Sequence, residues 1–255
     1  MKQGPEGIAW CDYTFNPWWG CTKVSPGCAH CYAEKVSRRW QRASWGKGAA
    51  RLRTKPQTWL APLRWDIEAR EAGERKRVFC ASMSDLFDPE VPDQWRREVF
   101  EIINRCDSLD WLVLTKRIRE ALGFLESVSA PSHMWLGVSV EDQLRANERI
   151  PLLLAAKVKV RFLSVEPLIG PVWLSHHLSP PVAGARMIDW LICGGESGPG
   201  FRKMELEWAR SLLAQSRSLG IPFFMKQMGG HPDSRSMPEQ LPLSLRVREF
   251  PSVPI

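Results

Sequence analysis

The stretch RVFCASMSDLFD, Arg77–Asp88, decides the fold. It opens with an apolar, β-rich run and closes on polar and turn residues. A helix is then predicted over Asp93–Cys106, with Asp93 as its N-cap. The same phrase recurs along the chain. DWLVLTKR (110–117) precedes a helix predicted over Ile118–Val128, MWLGVSVED (134–142) one over Gln143–Ala156, and DWLICGGESG (189–198) one over Glu205–Ser218. VKVRFLSVEPLIG (158–170) and IPFFMKQMGG (221–230) are two more strands. Apolar strands that alternate with helices specify a parallel sheet covered on both faces. At least five such units make a doubly wound sheet or a partial or full (β/α) barrel. The prediction is an α/β fold with about six parallel strands in a single domain over 1–255, with no eightfold repeat or solenoid period.

Polar residues gather at the predicted C-terminal ends of these strands. They are Ser82, Ser84 and Asp85; Thr115 and Lys116; Ser139 and Glu141; Ser164 and Glu166; Gly194, Gly195 and Glu196; Lys226 and Gln227. In parallel α/β folds that rim is where ligands bind. Loop chemistry and helix capping account easily for Ser82 or Ser139. They account less well for Glu166 before Pro167, or for Lys226 inside FFMKQ. Glu166 and Lys226 could also form a structural ion pair.

Ahead of the strands lies GCTKVSPGCAHCYAEK (20–35), which spaces Cys21, Cys28 and Cys31 as C-x6-C-x2-C. Gly20, Pro26 and Gly27 shape a tight loop around the thiols. Three thiolates can hold three irons of a [4Fe–4S] cluster and leave the fourth iron open for chemistry. Structural zinc, with Cys11 or His30 as fourth ligand, is the alternative, although only one C-x2-C knuckle is present. Cys80 and Cys193 lie in apolar strands and read as small buried residues.

The remaining segments are a cluster loop over 11–34, a basic and Trp-containing insertion or helical cap over about 35–76, a loop at Ser179–Val182, and an irregular tail from about 231 to 255. The middle one carries Trp40, Trp45, Trp59 and Trp65 among Arg38, Arg39, Arg42, Arg51, Arg53, Lys55 and Arg64. The 255 residues carry a net charge of +7, with thirteen Trp against two Tyr. Basic charge with aromatics suits nucleic acid, although core tryptophans and solvated charge would give the same composition. No apolar run reaches membrane-spanning length and the N-terminus lacks a signal-peptide core. A cytoplasmic location is expected, with the seven cysteines as thiols or metal ligands rather than disulfides.

The run IAWCDYTFNPWWGCTKVSPGCAHCYAEK (8–35) resembles the opening of the phage Gp37/Gp68-like family (DUF5131), which is related to the radical S-adenosylmethionine (SAM) superfamily. The resemblance continues through SMSDLFDP, WLVLTKR, WLGVSVE, FLSVEPL, CGGESGPGFRKM and PFFMKQMGG, nearly the whole chain. It implies a barrel of the radical SAM type, a [4Fe–4S] cluster on Cys21, Cys28 and Cys31, and SAM chelated to the open iron. Reductive cleavage of SAM would give a 5′-deoxyadenosyl radical for hydrogen abstraction or rearrangement. An external electron donor of the flavodoxin or ferredoxin type would be required.

The first cysteine gap is three residues longer than the superfamily's C-x3-C-x2-C, and His30 stands where an aromatic residue usually precedes the third cysteine. Gly194-Gly195-Glu196 ends a late strand, whereas the superfamily's GGE motif usually ends the second. The resemblance therefore assigns the SAM amino group to Ser84 or Asp85, with Lys116 toward the SAM carboxylate. Ser82, Thr115, Ser139, Glu141, Gly194, Gly195 and Gln227 complete the expected cofactor rim, and Glu166, Glu196 and Lys226 are the candidate catalytic residues. The implied substrate is a base of phage DNA, such as a modified thymidine; a free nucleotide, a tRNA base and a peptide are alternatives. The rival from another class is a non-catalytic nucleic-acid-binding protein stabilised by zinc or a cluster.

Overall fold

The computed structural model describes residues 8–178 and 187–252, so the loop expected at Ser179–Val182 lies outside the described residues. In chain order the elements are β1 (Tyr13–Phe15), β2 (Trp18–Trp19), α1 (Tyr32–Arg39), β3 (Leu52–Arg53), α2 (Pro56–Glu71), β4 (Lys76–Cys80), α3 (Asp93–Arg105), β5 (Leu109–Thr115), α4 (Ile118–Ser127), β6 (Met134–Ser139), α5 (Gln143–Ala155), β7 (Val160–Val165), β8 (Trp190–Gly194), α6 (Leu206–Leu219) and β9 (Phe223–Gln227). Seven strands form one sheet in the order β1-β4-β5-β6-β7-β8-β9. The order follows the chain without reversing. A doubly wound sheet would reverse at a switch point, so the order is that of successive β/α units, with β1 and β9 at its two ends.

The sheet has seven strands where the sequence predicts about six. The extra one is β1, three residues that pair in parallel with β4 from Tyr13↔Val78 to Phe15↔Cys80. A strand that short carries no periodicity to read. Strand β1 also gives the basic segment at 35–76 a place in the fold. That segment contains α2, the crossover helix from β1 to β4, rather than an insertion alone. Trp59 of α2 is buried and meets Phe15 edge-on at 6.0 Å. Trp65 stacks flat on Tyr13 at 4.5 Å.

The chain divides into two compact units. One comprises residues 1–24, 33–136 and 157–159; the other comprises 25–32, 137–156 and 160–255. The core of the first gathers Phe15, Val78, Ile103, Trp111 and Leu112, all fully buried. In the second, every position of β7 and β8 is buried. Phe162 and Phe224 flank Trp190 with ring centroids 6.2 and 5.9 Å away. Burying each such side chain contributes about 1.5–3 kcal/mol before entropy is counted.

After β9 the described tail holds no α-helix or named strand, and one short stretch of it follows β9. Met225 N–H donates to Val247 O (2.8 Å) and Glu249 N–H to Phe223 O (2.9 Å), so residues 247–249 run along β9. This covers a sheet edge that would otherwise offer unpaired amides. Helix α3 starts with Pro92 at its N-cap, and Asp93 lies in the first turn, where it pairs with Arg96 and Arg97. No helix among the described residues is long and apolar enough to cross a membrane.

Candidate functional site

In the first unit the ends of β1, β4 and β5 bring together Asn16, Ser82, Asp85, Thr115 and Arg117. Ala81 leaves β4 in the left-handed region (φ 66°). A residue with a Cβ pays about 1–2 kcal/mol for that conformation. Ser82 Oγ and Met83 N–H both donate to Asn16 Oδ1, at 3.1 and 2.9 Å. Asp85 accepts from Thr115 Oγ1 (2.8 Å), Lys116 N–H (3.1 Å), Arg117 Nη1 (3.1 Å) and Phe87 N–H (3.0 Å). Its carboxylate is filled by internal donors. Ser84 differs: its Oγ is buried with no hydrogen-bond partner among the described residues.

The same network grips the start of the cysteine loop. Arg117 Nη2 donates to Thr22 O at 2.6 Å and Arg51 Nη2 to Thr22 Oγ1 at 2.7 Å. Arg51 is in turn paired with the fully buried Asp88 at 2.8 Å. Arg117 Nη1 also lies 3.5 Å from Cys21 Sγ. Burial pushes the Cys21 thiol up to about 12; Asp85 adds to the shift and Arg117 opposes it. Cys21 is thus a neutral thiol at pH 7 unless a bound cation lowers the cost of ionisation.

In the second unit the loop is held by the end of β6. Ser25 Oγ donates to Glu141 Oε1 at 2.6 Å, and Arg149 of α5 pairs with Glu141 Oε2 at 2.9 Å. Glu141 is fully buried, and a Cβ built on Gly27 would lie 2.4 Å from its Cγ. Glycine at 27 therefore lets the loop lie directly on the carboxylate. Ser25 Oγ also sits 3.8 Å from Cys28 Sγ. Arg149 additionally donates to Ser139 O at 2.7 Å. From the end of β8, Glu196 holds Arg202, which donates to Pro26 O at 2.9 Å. Burial raises the Glu196 carboxyl, but its bonds to Arg202 more than offset this, and the net shift is below the usual carboxylate value.

Glu166 and Lys226 form an ion pair at the ends of β7 and β9. Gln227 Nε2 donates to Gly195 O at 2.8 Å. A Cβ on Gly195 would fall 2.1 Å from Met228 O, so this glycine admits a neighbouring backbone. The expected rim residues thus fall into two sets. Asp85, Thr115, Glu141 and Glu196 serve internal contacts that carry the cysteine loop or its supports. Ser84, Glu166 and Lys226 do not take part in those contacts: the Ser84 hydroxyl has no partner among the described residues, and Glu166 and Lys226 pair with each other. Sequence reasoning missed the arginines, Arg51, Arg117, Arg149 and Arg202, and the loop residues Thr22 and Ser25. One signal was present: Arg117 and Arg202 lie inside the quoted runs WLVLTKR and CGGESGPGFRKM.

None of the seven cysteines forms a disulfide. Cys11, Cys80, Cys106 and Cys193 are buried, whereas Cys21, Cys28 and Cys31 are partly accessible. Three cysteines on one anchored loop, none of them fully buried, are chemically suited to iron or zinc. As placed, no group of three or more His, Cys, Asp or Glu among the described residues is arranged to hold a metal ion. The fit is one of donor chemistry and loop support. For SAM it is the orphaned Ser84 hydroxyl, an acceptor available to an ammonium group.

No curated protein and no solved structure matches the chain. A family model does match, over residues 6–248. With that model spanning nearly its whole length, the chain belongs to the family described as "Protein of unknown function (DUF5131)".

Proposed function

We propose that this chain is a radical SAM enzyme that binds a [4Fe–4S] cluster through Cys21, Cys28 and Cys31 and acts on a base of DNA. The observation that carries the reading is the loop itself. Its three partly accessible thiols sit among residues fixed by buried ion pairs. A structural staple needs no such accessibility; a cofactor that meets substrate does. When bound, the cluster and SAM would supply a 5′-deoxyadenosyl radical for hydrogen abstraction or rearrangement.

The chain's own part is positioning. Arg51 and Arg117 orient the loop at Thr22, and Glu141 orients it at Ser25. Ser84 would accept from the SAM ammonium, with Lys116 toward its carboxylate. Glu166 and Lys226 would present a paired acid and ammonium to the substrate at the strand ends. Excluding stray C–H donors from the radical is the other requirement, which enclosure by the strand ends would serve. An electron donor of the flavodoxin or ferredoxin type would be an external partner.

The test is anaerobic reconstitution followed by iron, sulfide and zinc analysis and a SAM-cleavage assay. The reading expects about four irons per chain and an absorption band near ~400 nm that responds to SAM. It also expects loss of iron in each of Cys21→Ala, Cys28→Ala and Cys31→Ala. One zinc and no iron would replace it with a zinc-stabilised binding protein. Iron without SAM cleavage would leave a cluster-stabilised one.

A further inference from the structure

Between residues 35 and 65 the chain carries nine Lys or Arg and no Asp or Glu. The structure sorts these cations. Arg51 is buried on Asp88, Arg53 pairs with Glu98, and Arg38 pairs with Glu34. Arg39, Arg42 and Lys47 are exposed and have no ion pair among the described residues. Trp40 stands between the first two, 65% exposed, the most solvent-exposed aromatic side chain among the described residues.

This presentation is built. Gln41 takes the left-handed conformation (φ 47°), Gln41 N–H donates to Arg38 O (3.1 Å), and Arg42 N–H donates to Ser37 O (3.0 Å). These are the two bonds of a Schellman cap closing α1. Ser37 Oγ then bridges both the N–H and the C=O of Ala43, at 3.1 and 3.0 Å. The turn is therefore fixed at both ends, and it carries an exposed indole flanked in sequence by two exposed arginines. That leaves a large apolar face in water, 65% exposed.

We infer that Arg39, Trp40, Arg42 and Lys47 form a binding surface for single-stranded nucleic acid. Trp40 stacks on an unpaired base and the three cations neutralise flanking phosphates. Charge complementarity selects a polyanion. The exposed indole selects one with accessible π-faces, because bases stacked inside a duplex offer none. The inference deepens the nucleic-acid side of the function proposed above and is independent of the cluster, so the two can fail separately.

The test is fluorescence anisotropy with a labelled mixed-sequence single strand of about 12 nucleotides, a duplex of the same sequence, and anionic phospholipid vesicles, on protein whose iron content is measured in parallel. The single strand should bind and quench Trp fluorescence. Trp40→Ala should weaken it by roughly 5- to 100-fold with the salt slope unchanged. Trp40→Phe should recover most of the loss. Arg39→Ala with Arg42→Ala should reduce the slope of log K against log salt by about 1.4, at roughly 0.7 per phosphate. Iron content and SAM cleavage should not change in any of these variants. Failure of the single strand to bind at low salt would overturn the inference, as would full affinity in Trp40→Ala, a preference for the duplex, or binding to vesicles only.

Discussion

Around Thr22 the cysteine loop is gripped by guanidinium groups; around Ser25 it is gripped by a carboxylate. Arg51 takes the Thr22 hydroxyl and Arg117 takes its carbonyl, each arginine backed by a buried aspartate. Ser25 has Glu141, and Glu141 has Arg149. Thr22 itself has two donors, whereas the Ser25 hydroxyl has one acceptor, with Arg202 holding only the next carbonyl, Pro26 O. If Arg117 is lost, Thr22 keeps Arg51, and Asp85 keeps Thr115 and the Lys116 amide. If Glu141 is lost, Arg149 becomes a buried cation without its carboxylate and Ser25 has no acceptor there. Redundant grips tolerate substitution; single ones concentrate the energy in one group.

That contrast can be broken most directly at Glu141. Glu141→Gln should lower the unfolding free energy by about 3–5 kcal/mol, the usual cost of stranding a buried charge. Chemical denaturation reads it, and wild-type stability would mean that the second grip is as redundant as the first. Arg117→Met should cost less, about 2 kcal/mol, because its partners retain other donors. An Arg117 variant less stable than the Glu141 one would reverse the comparison. Gly27→Ala sharpens it further. The added methyl meets Glu141 at 2.4 Å, so thermal melts should show a loss of about 1–3 kcal/mol from overpacking. Ser25→Ala removes one hydrogen bond to a charged acceptor, worth about 1.5–3 kcal/mol when fully buried and less at this half-buried position.

The smallest effect is a pH dependence at Glu196. Its folded carboxyl sits below the ordinary glutamate value. The bound proton is then disfavoured by folding, so the pair's stabilisation is present above the unfolded value and lost as pH falls through the folded one. Melting temperature should drop on acidification below about pH 4, the ordinary range for a glutamate. Glu196→Gln should flatten that part of the profile and lower stability at pH 7. An identical acid limb in both proteins would exclude Glu196 as its source.

Much of the fold was legible from residue order. Strands such as β7 and β8 are buried along their whole length, so VRFLSV and WLICG declare themselves as apolar runs. Helices α3, α4, α5 and α6 fall within one residue of their predicted ends, because amphipathic periodicity is a local property. Strand β1 was not legible: three residues carry too little pattern. The thiols were legible too, since C-x6-C-x2-C is a spacing within one loop.

What the tertiary structure decided is how that loop is held. Arg117 and Thr22 are 95 positions apart, Ser25 and Glu141 116, and Arg202 and Pro26 176. No local pattern announces such pairs, because a charged residue at a strand end reads the same whether it faces a ligand, a loop or solvent. Residue order determined where the strands end and which side chains stand there. Only chain folding determined that Asp85 is filled by internal donors, that the Ser84 hydroxyl is left without a partner among the described residues, and that Glu141 lies beneath Gly27. Partner choice depends on distance in space, and distance in space is set by the assembled sheet.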